Sequence, residues 1–160
     1  MVRSLAVVVA CVLGVLWLTP RPEVDPVRVI DYSQTLDQAR GGFSYPVFAP
    51  VGLEGGWRPT SARSERLRSG ALTWHIGFVT PASRYAAVEQ SDEPAQDLLT
   101  RLGARGPSTG TVSLGGQSWE RREADGKRAL SRVAQGSTLV VAGDAGWVEL
   151  EWLAGALRSE

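Results

Sequence analysis

The sequence predicts an α+β domain built on a largely antiparallel sheet packed by helices, preceded by one N-terminal transmembrane helix. Three observations point there. Apolar residues alternate with a period of two in several short segments, and the turn dipeptides Gly115-Gly116 and Asp125-Gly126 join some of these directly. Stretches of helical period stand at the start, middle and end of the domain, not one after every strand as a parallel sheet requires. Residues 5–18 are fourteen apolar positions without a charge, followed by Pro20, Pro22 and Pro26.

A helix rises about 1.5 Å per residue, so that run reaches roughly 21 Å against about 30 Å of hydrocarbon. Met1, Val2 and Thr19 extend it towards a spanning length, with Arg3 reaching the interface and Trp17 at headgroup depth. A cleaved signal peptide needs a small-residue site after the run, and Trp17-Leu18-Thr19-Pro20 supplies none. Lipidation needs a small-residue box ending in cysteine; Val8-Val9-Ala10-Cys11 fits loosely, but the run continues past Cys11. The favoured reading is a retained single-pass anchor over residues 1–19, a proline-stiffened tether over 20–30 and a domain over 31–160. Arg3 on one side and Arg21 and Arg28 on the other do not fix its orientation. The secretory-type start places the domain outside the cytoplasm, at the cell membrane. A single arginine ahead of so short an anchor suggests a biological start upstream of Met1.

Asp31 is placed to cap a first helix whose Tyr32, Leu36, Ala39 and Phe43 share a face and which Gly41-Gly42 ends. Residues 45–49 read as a short strand before Pro50. Residues 52–56 form a turn and not a phosphate cradle, because no Gly-Lys-Ser/Thr follows. From Trp57 to Leu67 runs a segment that Pro59 demotes to a sheet edge. Residues 71–80 are the clearest strand: Leu72, Trp74, Ile76 and Phe78 point one way, and Thr73, His75, Gly77 and Val79 the other. Pro81-Ala82-Ser83 turns the chain into a second strand over 85–90.

Asp92 is placed to cap a helix with Pro94 in its first turn. On it Ala95, Leu98, Leu99 and Leu102 follow the i, i+3, i+4, i+7 pattern, and Gly103 closes it. A loop over 104–110 leads to strands at 111–114, 117–123 and 128–134. The apolar run at 138–142 suits a central strand buried on both faces. Asp144 is placed to cap a last helix reaching about Arg158, with Glu149 and Glu151 early and Arg158 late, as the helix dipole favours.

Seventeen basic side chains balance seventeen acidic ones, which argues against the basic footprint that nucleic acid requires. The one cysteine, Cys11, lies in the anchor, so disulfide and thiolate chemistry are excluded from the domain. With a single histidine, no metal-ligand set is expected, and no cofactor. No Gly-x-Ser-x-Gly nucleophile elbow is present.

Several phrases carry a family likeness: Pro50 and Gly52 before Gly56-Trp57, Leu72-Thr73-Trp74-His75-Ile76-Gly77-Phe78-Val79-Thr80-Pro81, Glu89-Gln90-Ser91-Asp92, Gly116-Gln117-Ser118-Trp119-Glu120, and the strand at 138–143. Over essentially the whole chain they resemble uncharacterised single-pass membrane proteins of actinobacteria, domain of unknown function family 4245. The Trp-His-x-Gly-x-x-Thr-Pro strand is the most specific part. The resemblance implies a membrane anchor, usually behind a longer basic segment, and brings no activity, cofactor or catalytic residue. The element order is also similar to PsbP-like folds, an analogy of architecture alone.

His75 is expected to face either solvent or a second layer under a helix, with Glu89 or Asp92 placed to orient it as a general base. The plainer reading is a strand histidine satisfied by a hydrogen bond. Arg58, Arg66 and Arg68, with Arg121 and Arg122, form either an anion patch or charges that discourage edge-to-edge pairing. On the last helix Trp147, Leu150, Leu153, Ala154 and Leu157 make one stripe, leaving Val148 and Trp152 opposite as candidate partner contacts. The other readings there are a helix buried on both faces, or a tryptophan lying flat on the surface. Trp57, Trp74 and Trp119, with His75, are candidates to line a pocket between sheet and helix.

The sequence thus predicts a non-enzymatic module, tethered to the lipid bilayer through residues 1–19, that binds a protein or envelope component. A small-ligand-binding domain with a tryptophan-lined pocket is the alternative. An enzyme built on His75 would require a cleft and a carboxylate within hydrogen-bond reach of the ring.

Overall fold

The computed structural model describes residues 27–53 and 55–159. The expected anchor and most of the tether lie outside them; no helix among the described residues is long and apolar enough to cross a membrane. The elements are α1 (Ser33–Gly42), β1 (Ala49–Pro50), β2 (Arg58–Arg66), β3 (Leu72–Val79), β4 (Tyr85–Ser91), α2 (Ala95–Arg101), β5 (Ser108–Leu114), β6 (Gln117–Ala124), β7 (Lys127–Ala134), β8 (Ser137–Gly143), α3 (Trp147–Gly155) and β9 (Leu157–Arg158).

Seven strands form one sheet in the order β2-β3-β4-β8-β7-β6-β5, with every neighbouring pair antiparallel. Two meanders, β2 to β4 and β5 to β8, meet where β4 pairs with β8 at Val88 and Val141. That junction puts β8 in the middle of the sheet. Its Leu139 and Val141 pack on one face and its Val140 on the other, all fully buried, which is why its sequence is apolar without alternation. Pro59 lies on the outermost strand, as a residue without an N–H must. The hairpins β5–β6, β6–β7 and β7–β8 turn on Gly115-Gly116, Asp125-Gly126 and Gln135-Gly136, all at positive φ. Such turns match the twist of the strands they join.

Helices cover both faces. Leu36 and Ala39 of α1 and Leu150, Leu153 and Ala154 of α3 pack over Trp74, Ile76, Phe78, Leu130 and Val141. On the opposite face Leu98 and Leu99 of α2 pack over Ala129 and Val140. The α+β class and the largely antiparallel sheet therefore stand.

Several local expectations are corrected. Residues 45–49 are not a strand; only Ala49 and Pro50 pair, with Arg158 and Leu157. The same pairing ends α3 at Gly155, because the chain must straighten to reach β1. Asp92 and Asp144 do not cap helices. Asp92 Oδ1 accepts the Leu72 N–H and Asp144 Oδ1 the Tyr85 N–H, each at 2.7 Å. Each carboxylate thereby satisfies the first amide of a strand, and the N-cap positions fall to Pro94 and Gly146. At α1 the N-cap position falls to Tyr32, without a side-chain cap, and Asp31 one residue earlier accepts the Ser33 N–H at 2.9 Å. β5 begins at Ser108, earlier than the loop composition suggested.

Candidate functional site

Strands β2, β3 and β4 bring Ser61, His75 and Glu89 into one line across the sheet face that carries α2. Antiparallel register sets His75 opposite Glu89, and the unbroken pairing of Ser61 with Gly77 and Arg63 with His75 puts the serine diagonally beside the ring. Ser61 Oγ lies 3.0 Å from Nε2 of His75, and Nδ1 lies 2.5 Å from Glu89 Oε1. His75 and Glu89 are buried, each 6 % exposed, while Ser61 is half-buried. In the tautomer that donates Nδ1–H to the carboxylate, Nε2 is the acceptor that faces the Ser61 hydroxyl. The other Glu89 oxygen lies 4.0 Å from Arg101 of α2, itself held by Glu93 at 2.6 Å. Of the two acids expected near His75, Glu89 is the one in reach.

Tyr85 closes over this line. An ideal Cβ on Gly77 would stand 2.6 Å from Ser61 Oγ and 3.0 Å from Tyr85 Oη, so the missing side chain is what lets the two hydroxyls converge. Burial pushes the Tyr85 phenol above its ordinary range, the Glu89 charge adds to this, and Arg63 opposes it. At neutral pH Tyr85 is therefore a proton donor.

On the other side of Glu89 a cavity of about 330 Å³ opens between the sheet and the α2–β5 connection. Its floor is Ala87, Ala142 and Ala129, which are register partners across β4, β8 and β7. Three methyl groups in a row leave the room that larger side chains would fill. Leu102, Ala104 and Gly106 form the wall. Gly106 approaches β6 so closely that a Cβ would lie 2.5 Å from the Glu123 carbonyl oxygen. Tyr85 and Glu89 bound the β4 side, and Arg122 and Lys127 the β6–β7 side. An apolar hollow with a few polar groups at its margins is the usual form of a small-molecule site.

The residues singled out from the sequence are distributed differently. Trp74 and Trp119 are fully buried on the α1/α3 face, where Trp74 Nε1 donates to the Phe48 carbonyl at 3.0 Å. Trp57 packs edge-on against Phe78, with ring centroids 5.9 Å apart. His75 lies on the other face, as strand parity requires. These four residues line no common pocket, and the tryptophans are core. Val148 and Trp152 are exposed on α3, at 81 % and 60 %. The arginines make no joint patch, because β2 and β6 lie at opposite sides of the sheet. Arg66 donates to the Gly70 carbonyl, Arg121 pairs with Glu151, and Arg122 pairs with Glu120. Among the described residues no group of three His, Cys, Asp or Glu side chains is placed to hold a metal ion.

Ser61, Tyr85 and the alanine floor are what sequence reasoning missed. Tyr85 shares strand parity with Glu89, a signal that was available. Ser61 depends on the β2–β3 register, and the alanine row on the β4–β8 and β7–β8 registers, which no single segment encodes.

Residues 1–157 match the model of a family described as protein of unknown function (DUF4245). No curated protein matches the chain. Among solved structures it is similar to a chain in the crystal structure of MucB in complex with MucA(peri), at 15% identity and a TM-score of 0.43, covering 71% of this chain and 36% of that one. It is likewise similar to a chain in the complex structure of Pseudomonas aeruginosa MucA/MucB, at 16% identity and a TM-score of 0.43, covering 71% and 35%. The chain thus spans about a third of the length of the structures it matches. By the match over nearly its whole length, the chain belongs to the DUF4245 family.

Proposed function

We propose that this protein is an extracytoplasmic binding module, held at the cell membrane by residues 1–19, and that its site is the alanine-floored cavity on the α2 face. The cavity carries the reading: about 330 Å³ of largely apolar space with Tyr85, Glu89, Arg122 and Lys127 at its margins. The small-ligand alternative drawn from the sequence is thus kept, with its pocket moved to the opposite face of the sheet. The membrane attachment rests on the apolar run at 5–18. Titrating a fragment that begins at Val27 with N-phenyl-1-naphthylamine tests the site. Saturable binding to one site per chain, abolished by Ala142→Leu, is the expected result. Binding that is absent, or indifferent to that substitution, rejects the cavity.

A second reading assigns a protein or envelope partner to α3. It is supported by Val148 and Trp152, one helical turn apart and both exposed. A photocrosslinking amino acid at position 152 in cells tests it: a discrete adduct supports a partner there, and no adduct counts against one.

A further inference from the structure

We propose that Ser61, His75 and Glu89 form a nucleophile–base–acid triad that hydrolyses small carboxylic esters, an activity beyond the binding reading. The argument is geometric. A serine nucleophile needs a base within about 2.6–3.2 Å, and that base needs a third group to fix its tautomer. Here Ser61 Oγ to Nε2 is 3.0 Å, and Nδ1 to the buried Glu89 carboxylate is 2.5 Å. An ion pair serving only to neutralise Glu89 needs His75 alone. It needs neither a hydroxyl on the far ring nitrogen nor a glycine whose Cβ would collide with that hydroxyl. Tyr85 Oη borders the same space above Gly77 as Ser61 Oγ and is the nearby donor the proposal assigns to the developing oxyanion. Ser61 is half-buried on the outermost strand, which leaves its hydroxyl partly open to solvent.

The chemistry balances with water as the only co-reactant. Ser61 Oγ bonds to the ester carbonyl carbon while its proton passes to Nε2, and the carbonyl π pair moves onto oxygen. Collapse of the tetrahedral species breaks the bond to the leaving alkoxide, which takes the proton from Nε2. Water then adds to the acyl-serine, giving its proton to Nε2. The second collapse returns that proton to Ser61 Oγ and releases the carboxylic acid. Glu89 stays ionised throughout and steadies the imidazolium that forms twice.

The test uses the full chain in detergent, treated with a fluorophosphonate probe and, separately, with p-nitrophenyl acetate. The expected result is a covalent phosphonyl adduct mapped by mass spectrometry to Ser61. Ester turnover should fall to background in Ser61→Ala, and both rates should fall about 10²- to 10⁴-fold in His75→Gln. Unchanged near-ultraviolet circular dichroism controls for folding. An adduct elsewhere, ester turnover surviving in Ser61→Ala, or a labelling rate indifferent to His75→Gln overturns the proposal. Should His75→Gln fail to fold, Ser61→Ala alone decides it, since removing one half-buried hydroxyl leaves the His75–Glu89 pair in place. The binding reading is tested separately: Ser61 is not part of the cavity lining, so Ser61→Ala removes ester turnover and leaves N-phenyl-1-naphthylamine binding in place.

Discussion

Gln90 holds Phe48. Its Oε1 accepts the Phe48 backbone N–H at 2.9 Å, while its Nε2 donates to the Pro46 carbonyl and to Ser137 Oγ, each at 2.8 Å. Gln90 is fully buried on β4, and through it an irregular segment gains the hydrogen bonds that a neighbouring strand would otherwise supply. Trp74 adds one more, from Nε1 to the Phe48 carbonyl. Gln90→Leu keeps the volume but strands the buried Phe48 N–H and leaves the part-buried Pro46 carbonyl without its donor. Urea unfolding should show a loss of about 2–4 kcal/mol with an unchanged m-value.

That network explains why residues 45–49 read wrongly as a strand. Tyr45, Val47 and Phe48 are apolar because they enter the core, and the groups that satisfy the backbone of Pro46 and Phe48 come from positions over 25 residues away in sequence. The rest of the fold was legible wherever the signal is local. Strand alternation put His75 opposite Trp74, the leucine spacing placed α2, and Asp125-Gly126 placed a hairpin. The candidate site was half legible: Glu89 could be set near His75 by strand pairing, but Ser61 and the alanine row depend on register between distant segments.

The two exposures of tryptophan predict opposite mutational costs. Trp74→Ala removes a fully buried ring and a hydrogen bond, and should cost about 3–5 kcal/mol in chemical denaturation. Trp152→Ala removes an exposed ring and should stay within about 0.5 kcal/mol. A cost at Trp152 approaching that at Trp74 would mean α3 packs differently.

Alkaline pH offers an independent check. The chain has three tyrosines, Tyr32, Tyr45 and Tyr85, and burial raises the phenol of each above its ordinary value of 10.0. The folded state therefore holds these protons more tightly than the unfolded chain does. The resulting stability is fully present below pH 10 and is lost as pH climbs from there through the folded values. Absorbance at 295 nm should show native tyrosines titrating above pH 10 and shifting down to it in denaturant. A native titration centred at 10 would contradict the shielding of these phenols from water, of Tyr45 above all.

Filling the cavity should leave the fold intact. Ala142 is half-buried on the cavity floor, so Ala142→Leu adds apolar atoms where space exists, with unfolding free energy held or raised by up to about 1 kcal/mol. A loss beyond about 2 kcal/mol would mean that the site is already packed.

The binding claim is tested most directly by methyl nuclear magnetic resonance of the fragment from Val27, labelled with ¹³C at alanine methyls and titrated with N-phenyl-1-naphthylamine. Saturating shifts concentrated at Ala87, Ala129 and Ala142, with Ala154 of α3 unmoved, are the expected result. Shifts that miss those three methyls, or that gather on α3, would contradict a ligand site on the α2 face.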